Sequence, residues 1–315
     1  MSLRRTFQVL VPMALVGVFV SSAAFSEGCS TEPTAQFIAG LQSQVQVPRD
    51  LKTVLLRVRL GGSEQFCQAY NVVNGTVSLP QSIGTANRGD IDLPVEISVI
   101  GISSKTADDI ADCSFVYSQA KAGTDVRILR RSLQNYVPGR KLYVPMPMRY
   151  SCYDKFCDSE GETCKGGICK TLADPREYAK SLVEYKDELV FGTGNLCFPV
   201  LEKKVGDAVA PGCMAVAPPP KVIDGDACIF EVQDVPNVPF VGVNVEAVYE
   251  GGYLREVLDL DQEEGFYIPD ATKPKRFRLA EGLCKGYHAE AGFKSISALA
   301  VSGACASKTI LQPLC

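Results

Sequence analysis

Leu56-Arg57-Val58-Arg59-Leu60 alternates apolar and charged side chains, and Val95-Glu96-Ile97-Ser98-Val99 repeats the pattern further along the chain. A period of two puts one kind of residue on each face of an extended strand, so both stretches predict half-buried β-strands. Working outward, Asn74-Gly75 falls between Tyr70–Val73 and Thr76–Leu79, and both residues tolerate the positive φ of a tight hairpin. Pro138-Gly139 marks a second turn, between the extended runs 126–137 and 141–148. Short strands at this spacing, with no long helical pattern between them, make residues 29–150 an antiparallel β-sandwich of immunoglobulin- or transthyretin-like type.

Cysteine punctuates the middle of the chain. Cys152, Cys157, Cys164 and Cys169 crowd a short glycine-bearing stretch, 151–170, that is too small for a core of its own and must be stapled. Asp174-Pro175 then starts a short helix by N-cap and first-turn chemistry, with Tyr178, Leu182 and Tyr185 on one face, so 171–187 is expected to be a helical linker. From 188 to 315 the strand signal returns. Cys228, Phe230 and Val232 alternate, as do Val241, Val243, Val245, Ala247 and Tyr249, with Gly251-Gly252 turning the chain into 253–260. Phe277 and Leu279 alternate with Arg276 and Arg278, a last strand covers 296–301, and 202–226 reads as a long loop with Pro218-Pro219-Pro220 inside it. The whole is therefore expected to be mainly β, two sandwich-like domains joined by a disulfide knuckle and a short helix.

The first 28 residues read as an export signal, with Arg4 and Arg5 ahead of an apolar run of about a dozen residues, too short to span a bilayer. Gly28 before Cys29 suits lipoprotein processing, in which Cys29 carries the lipid. Parity agrees. Thirteen cysteines cannot all pair within one chain, and with Cys29 lipidated the remainder is even: Cys67, Cys113, Cys152, Cys157, Cys164, Cys169, Cys197, Cys213, Cys228, Cys284, Cys305 and Cys315. All of these are expected to be in disulfides. At the knuckle bridges are preferred to a four-thiolate zinc site, and spacing alone leaves three connectivities open.

Tyr136-Val137-Pro138-Gly139-Arg140 running on to Leu142, the knuckle's end Glu162-Thr163-Cys164-Lys165-Gly166-Gly167-Ile168-Cys169, and the cysteine-bearing strands closing at Cys315 resemble a family of uncharacterised, lipid-anchored cell-envelope proteins abundant in myxobacteria. The resemblance spans most of the chain after the leader. It implies an outer-membrane lipoprotein, or a secreted soluble form, and brings no known activity with it.

Composition narrows the chemistry. The one histidine, His288, excludes a multi-histidine zinc site, and a net charge of −4 with no long basic run argues against nucleic acid as a partner. No cofactor and no metal are expected. Asp259, Asp261, Glu263, Glu264 and Asp270 offer carboxylates for calcium or for a hydrolase, but Glu264 stands where a calcium loop needs glycine, and an acidic turn is the plainer reading. Lys273, Lys275, Arg276 and Arg278 form a basic cluster that an anionic polymer would suit, or simply a charged strand face. Asn74-Gly75-Thr76 matches a glycosylation sequon that hairpin geometry also explains. The chain is thus expected to be a non-catalytic binding or structural module facing an envelope protein or glycan; the alternatives are a secreted hydrolase using Asp259–Asp270 and a disulfide-stapled inhibitor presenting the Pro218 loop.

Overall fold

The strand-forming stretches assemble into several sheets. The computed structural model describes residues 34–73, 77–87, 91–110, 126–192, 197–200, 203–205, 208–210, 212–214, 218–249, 254–290 and 294–314. Cys29, Asn74-Gly75, Cys113, Gly251-Gly252 and Cys315, with the leader, lie outside them. The fold is mainly β. Its first seven strands are β1 (Gln36–Ser43), β2 (Thr53–Leu60), β3 (Ser63–Asn71), β4 (Gln81–Ala86), β5 (Pro94–Ile102), β6 (Val126–Asn135) and β7 (Lys141–Met148). They form two sheets, ordered β4-β1-β7 and β3-β2-β5-β6. Val54, Leu56 and Val58 of β2 and Val95, Ile97 and Val99 of β5 share a core with Phe37, Ala39 and Leu41 of β1 and Leu142, Val144 and Met146 of β7. Each such aliphatic side chain, fully buried, contributes about 1.5–3 kcal/mol.

Two details depart from expectation. β1 runs parallel to β7, whereas the expectation was antiparallel throughout. A parallel neighbour requires a long connection, and here all of β2 to β6 supplies it. The second departure is that β2 is buried on both faces at its start: Leu55 joins Ile100, Ile102, Val126 and Leu129 in a separate cluster that Phe156 of the knuckle helps to cover.

The knuckle is a hairpin, β8 (Glu162–Lys165) and β9 (Ile168–Thr171), turned by Gly166 and Gly167 at φ 54° and 89°. Its bridges cross, Cys152 to Cys164 and Cys157 to Cys169. Helix α1 (Pro175–Ser181) begins as expected, Asp174 accepting hydrogen bonds from the Arg176 and Glu177 amides. It ends earlier, with Leu182 as its C-cap, and Tyr185 lies beyond it. Tyr178 and Leu182 pack into the main core, so the helix is a layer of the fold and not a linker. A single turn, α2 (Glu188–Phe191), follows, capped by Gly192 at φ 65°.

The rest comprises the hairpin β10 (Lys203–Val205) and β11 (Ala208–Ala210), then β12 (Lys221–Asp224), β13 (Ile229–Glu231), β14 (Asn244–Tyr249), β15 (Arg255–Val257), β16 (Phe266–Tyr267), β17 (Arg276–Leu279), helix α3 (Glu281–Tyr287) and β18 (Ile296–Ser302). The sheets are β12-β13-β17-β16 and β15-β14-β18. Phe230, Phe277 and Leu279 are buried as the alternation predicts, but Val241 lies before β14 and is exposed. The expected loop 202–226 holds three short strands, β10 to β12.

Cys213–Cys305 and Cys228–Cys284 close this part of the chain. Cys67 of β3 and Cys197, just beyond α2, are disulfide-bonded as well, but to none of the eight cysteines in the four bridges above. The expected pairing therefore holds at every described cysteine, while at Cys113 and Cys315 it lies outside the described residues. By the chain-entropy argument a bridge closing about 100 residues is worth about 4.7 kcal/mol against about 3 for a 15-residue loop, which makes Cys213–Cys305, with its separation of 92, the largest constraint among these four bridges.

The two expected domains are fused. One hydrophobic cluster takes in Phe37, Val99 and Met146 together with Phe230, Val245 and Phe277, and Pro33–Cys315 forms one compact unit. Tyr150 meets Tyr249 edge-on at 4.7 Å between ring centres, and the Gln44 amide bonds both backbone groups of Val257, at 3.0 and 2.8 Å.

Candidate functional site

The acidic stretch that invited a catalytic reading is a turn, and it directs its carboxylates apart. Asp261 accepts from the Glu263 and Glu264 amides, both at 2.8 Å, as a local cap. Glu263 points out to Lys165, while Asp270 caps Thr272 at 2.9 Å and stands 3.6 Å from Lys273. Asp259 turns inward, where its two oxygens take Arg149 Nη2 and Lys308 Nζ. Glu264 also turns inward and pairs with Arg130 Nη2. Among the described residues no three of these carboxylates come within 4.8 Å of one another, as a calcium cage requires, while two of the five, Asp261 and Glu264, line one cavity.

Asp259 belongs to a buried electrostatic cluster that joins strands from both ends of the chain. Arg149 follows β7, Asp259 follows β15 and Lys308 follows β18, and all three are buried. Arg149 Nη1 donates to the Val257 carbonyl at 3.2 Å. Beside them Glu256 of β15 is fully buried and accepts from the Ser151 amide at 2.8 Å, the Ser151 hydroxyl at 3.1 Å and the Tyr249 hydroxyl at 2.9 Å. Burial raises the Glu256 carboxyl above its ordinary value, with Arg149 and these hydrogen bonds offsetting part of the shift. Burial likewise lowers the Lys308 ammonium, with Asp259 opposing. Such a cluster ties distant segments together, and Arg149 and Lys308 border a small cavity of about 80 Å³.

Glu264 and Arg130 differ, because they line a cavity of about 250 Å³ bounded by β6, β7, β8, α1 and the segment near Ile310. Arg130 Nη1 donates to the Cys164 carbonyl at 2.7 Å, which ties the pair to the knuckle. Glu264 Oε2 is buried and makes no hydrogen bond. Serine and threonine hydroxyls (Ser132, Thr163, Ser181), the Tyr143 and Tyr178 phenols and Lys165 share the lining with Leu133, Leu172 and Leu182. Burial pushes both phenols above their ordinary value, so they stay neutral hydrogen-bonding groups at physiological pH.

The other candidate residues occupy surface and capping roles. Lys273, Lys275 and Arg276 are paired with Asp270, Asp234 and Glu231, so the basic cluster presents little net charge. Pro218 and Pro219 are exposed and lead straight into β12, and the Pro219 carbonyl is held by Gln233 at 2.6 Å. His288, at the end of α3, stands 3.3 Å from Cys228 Sγ, and with Cys284 it makes the one cluster among the described residues whose potential metal-ligating atoms all lie within 4.8 Å. Both sulfurs are committed to the Cys228–Cys284 bridge, so the cluster has no thiolate to offer a metal while the bridge is closed.

Two features of this kind are not apparent from the expected motifs. Arg130-Arg131, two adjacent arginines inside an otherwise apolar strand, is the available signal for the cavity. Cys284-x3-His288 carries the signal for the second cluster, because such spacing shares a helix face. Comparison with protein-family models, with curated proteins and with solved structures finds no match.

Proposed function

We propose that this chain is an exported cell-envelope protein, held to the outer membrane by lipid on Cys29, that acts as a non-catalytic binding module for an envelope glycan. Four disulfides suit an oxidising, extracytoplasmic compartment. Among the described residues no helix is long and apolar enough to cross a membrane. The anchor rests on the Gly28-Cys29 pair that follows the apolar leader.

What supports the binding role is the cavity of about 250 Å³ itself, whose wall holds Arg130 and Glu264 beside serine, threonine, tyrosine and leucine side chains. Pockets for drug-sized ligands run to about 300–1,000 Å³. This one is smaller and suits a single ring or side chain projecting from a larger partner. Guanidinium, carboxylate and hydroxyl groups beside tyrosine and leucine favour a sugar ring, with its polar rim and apolar face. Of the five carboxylates of the hydrolase reading, Asp261 and Glu264 line this cavity, and Glu264 is committed to Arg130.

The test has two arms. Replacing Cys29 by serine should move the protein from the membrane fraction to the soluble fraction; unchanged partitioning refutes the anchor. Purified cell-envelope polysaccharide should co-sediment with the protein, and Ala173→Trp, which narrows the cavity mouth while sparing the Arg130–Glu264 pair, should abolish this without lowering the unfolding midpoint. Equal sedimentation of both forms, or none of either, refutes the glycan site.

A further inference from the structure

The Cys228–Cys284 bridge has a neighbour that the other three bridges between described residues lack. Cys284 sits on α3 and His288 follows one turn later on the same face, which brings the imidazole Nε2 to 3.3 Å from the partner sulfur, Cys228 Sγ. The two sulfurs are unequal. Cys228 is fully buried, whereas Cys284 is half-buried and lines an open groove of about 840 Å³ together with His288. Cys228 is also a non-glycine residue in the left-handed region, at φ 52°, a conformation that costs energy and tends to be kept where a site needs it. His288 itself is exposed, and its ring lies edge-on to Tyr287 at 5.6 Å.

We propose that Cys228–Cys284 is a thiol–disulfide exchange centre, with Cys284 the sulfur attacked, Cys228 the leaving group and His288 the proton donor. A thiolate of a dithiol reagent or of a peptide dithiol enters the groove and bonds to Cys284 Sγ. The Cys284–Cys228 bond breaks, its electron pair departs on Cys228 Sγ, and the His288 Nε2 proton passes to that sulfur. The second thiol of the same reagent then displaces Cys284, its proton passing to Cys284 Sγ, and takes the reagent to its own disulfide. In total the bridge gains two electrons from the dithiol and two protons, one from its second thiol and one from His288, which takes up again the proton that the first thiol released on ionising.

Each observation has a part in this scheme. Exchange requires access to one sulfur and is faster the less basic the other is as it departs. An accessible Cys284 backed by a buried Cys228 sets the direction of attack. A buried thiolate is costly, and an imidazole in contact removes that cost by protonating it. The groove carries Lys170, Arg278 and Lys285 with Asp226, Glu263 and Glu281, a balanced rim that repels neither sign of incoming peptide. This site lies outside the Glu264 cavity and stands or falls independently of the glycan proposal.

The experiment is timed reduction of the oxidised, folded protein by dithiothreitol, with alkylation quench and peptide mass spectrometry reporting each bridge separately. Cys228–Cys284 should open at least tenfold faster than Cys213–Cys305, whose Cys213 is likewise buried. General acid assistance is commonly worth about 10²- to 10⁴-fold, and a thiolate needs only part of it, so His288→Ala should slow this bridge by about tenfold and leave the others unchanged. Added imidazole should restore part of the loss. His288→Asn, which keeps a polar side chain but has no transferable proton, should be slow as well, and unfolding midpoints of both variants verify that the fold persists. Opening no faster than Cys213–Cys305, an unaltered rate in His288→Ala, or full speed in His288→Asn overturns the proposal.

Discussion

At the scale of single residues, charges are placed where only the folded chain can satisfy them. Asp259 between Arg149 and Lys308, and Glu264 beside Arg130, are buried pairs, and removing one member of such a pair leaves an uncompensated charge at a cost of about 3–5 kcal/mol. Loss of function on changing Asp259 would therefore report unfolding and not catalysis. Glu256 gives a sharper test because its shift has a definite sign. Burial raises its carboxyl in the folded protein above the ordinary 4.5, so the protonated form is the one the fold prefers. The stability it contributes is fully present below the unfolded value and is lost as pH rises through the higher folded value. Glu256→Gln cannot ionise. The stability of the natural protein relative to this variant should fall as pH rises from the ordinary 4.5 through the higher folded value, measured by urea unfolding of both at each pH; a constant or rising difference would refute the assignment. None of these pairs was legible in the sequence, since Arg130 and Glu264 stand 134 residues apart and charge alone does not reveal which side chains turn inward.

At the scale of elements, the alternating strands and the start of helix α1 at Asp174-Pro175 were legible, and helix α3 was not. β2, β5, β13 and β17 follow from alternation because a sheet face integrates the pattern over several residues and the core enforces it. Helix α3 had no such signature. Ala280 occupies its N-cap without a side-chain bond, and Gly282 and Gly286 interrupt its interior, each about 1 kcal/mol worse than alanine there. The helix is imposed by its surroundings: Leu283 is buried, Cys284 is bridged to Cys228, and the backbone at Gly282 lies directly against the knuckle turn. A Cβ at 282 would fall 2.0 Å from the Gly166 carbonyl oxygen, a backbone atom held by a hairpin that two disulfides fix. Gly282→Ala should therefore destabilise by about 1–3 kcal/mol, an overpacking cost that outweighs the gain in helix propensity. Thermal unfolding measures it, and a midpoint raised by the substitution would show that the helix and the knuckle do not touch as described.

At the scale of the whole molecule, the expected boundary near residue 188 disappears because the physics of burial ignores it. Two strand-rich segments separated by a cysteine knuckle and a helix suggest two cores. What the pattern does not carry is which apolar faces meet, and here Tyr150 packs on Tyr249, Gln44 completes the backbone bonding of Val257, and the knuckle hairpin rests on the turn that presents Glu264. A fragment of residues 33–187 would keep β1 to β9 and both knuckle bridges. It would lose the Asp259 partner of Arg149 and the Glu264 partner of Arg130, and would expose the aromatic and aliphatic face now covered by Phe230, Phe266 and Phe277. Two arginines must then either remain buried and unpaired or be solvated by opening the sheet ends, and either cost is a large share of a stability of about 5–15 kcal/mol. The fragment should therefore show no cooperative urea transition and poorly dispersed amide resonances, while the full chain unfolds in one transition seen alike by far-ultraviolet circular dichroism and tyrosine fluorescence. A fragment that unfolds cooperatively, with its bridges intact and a midpoint near that of the full chain, would restore the two-domain description and reduce the shared core to a contact between independently stable halves.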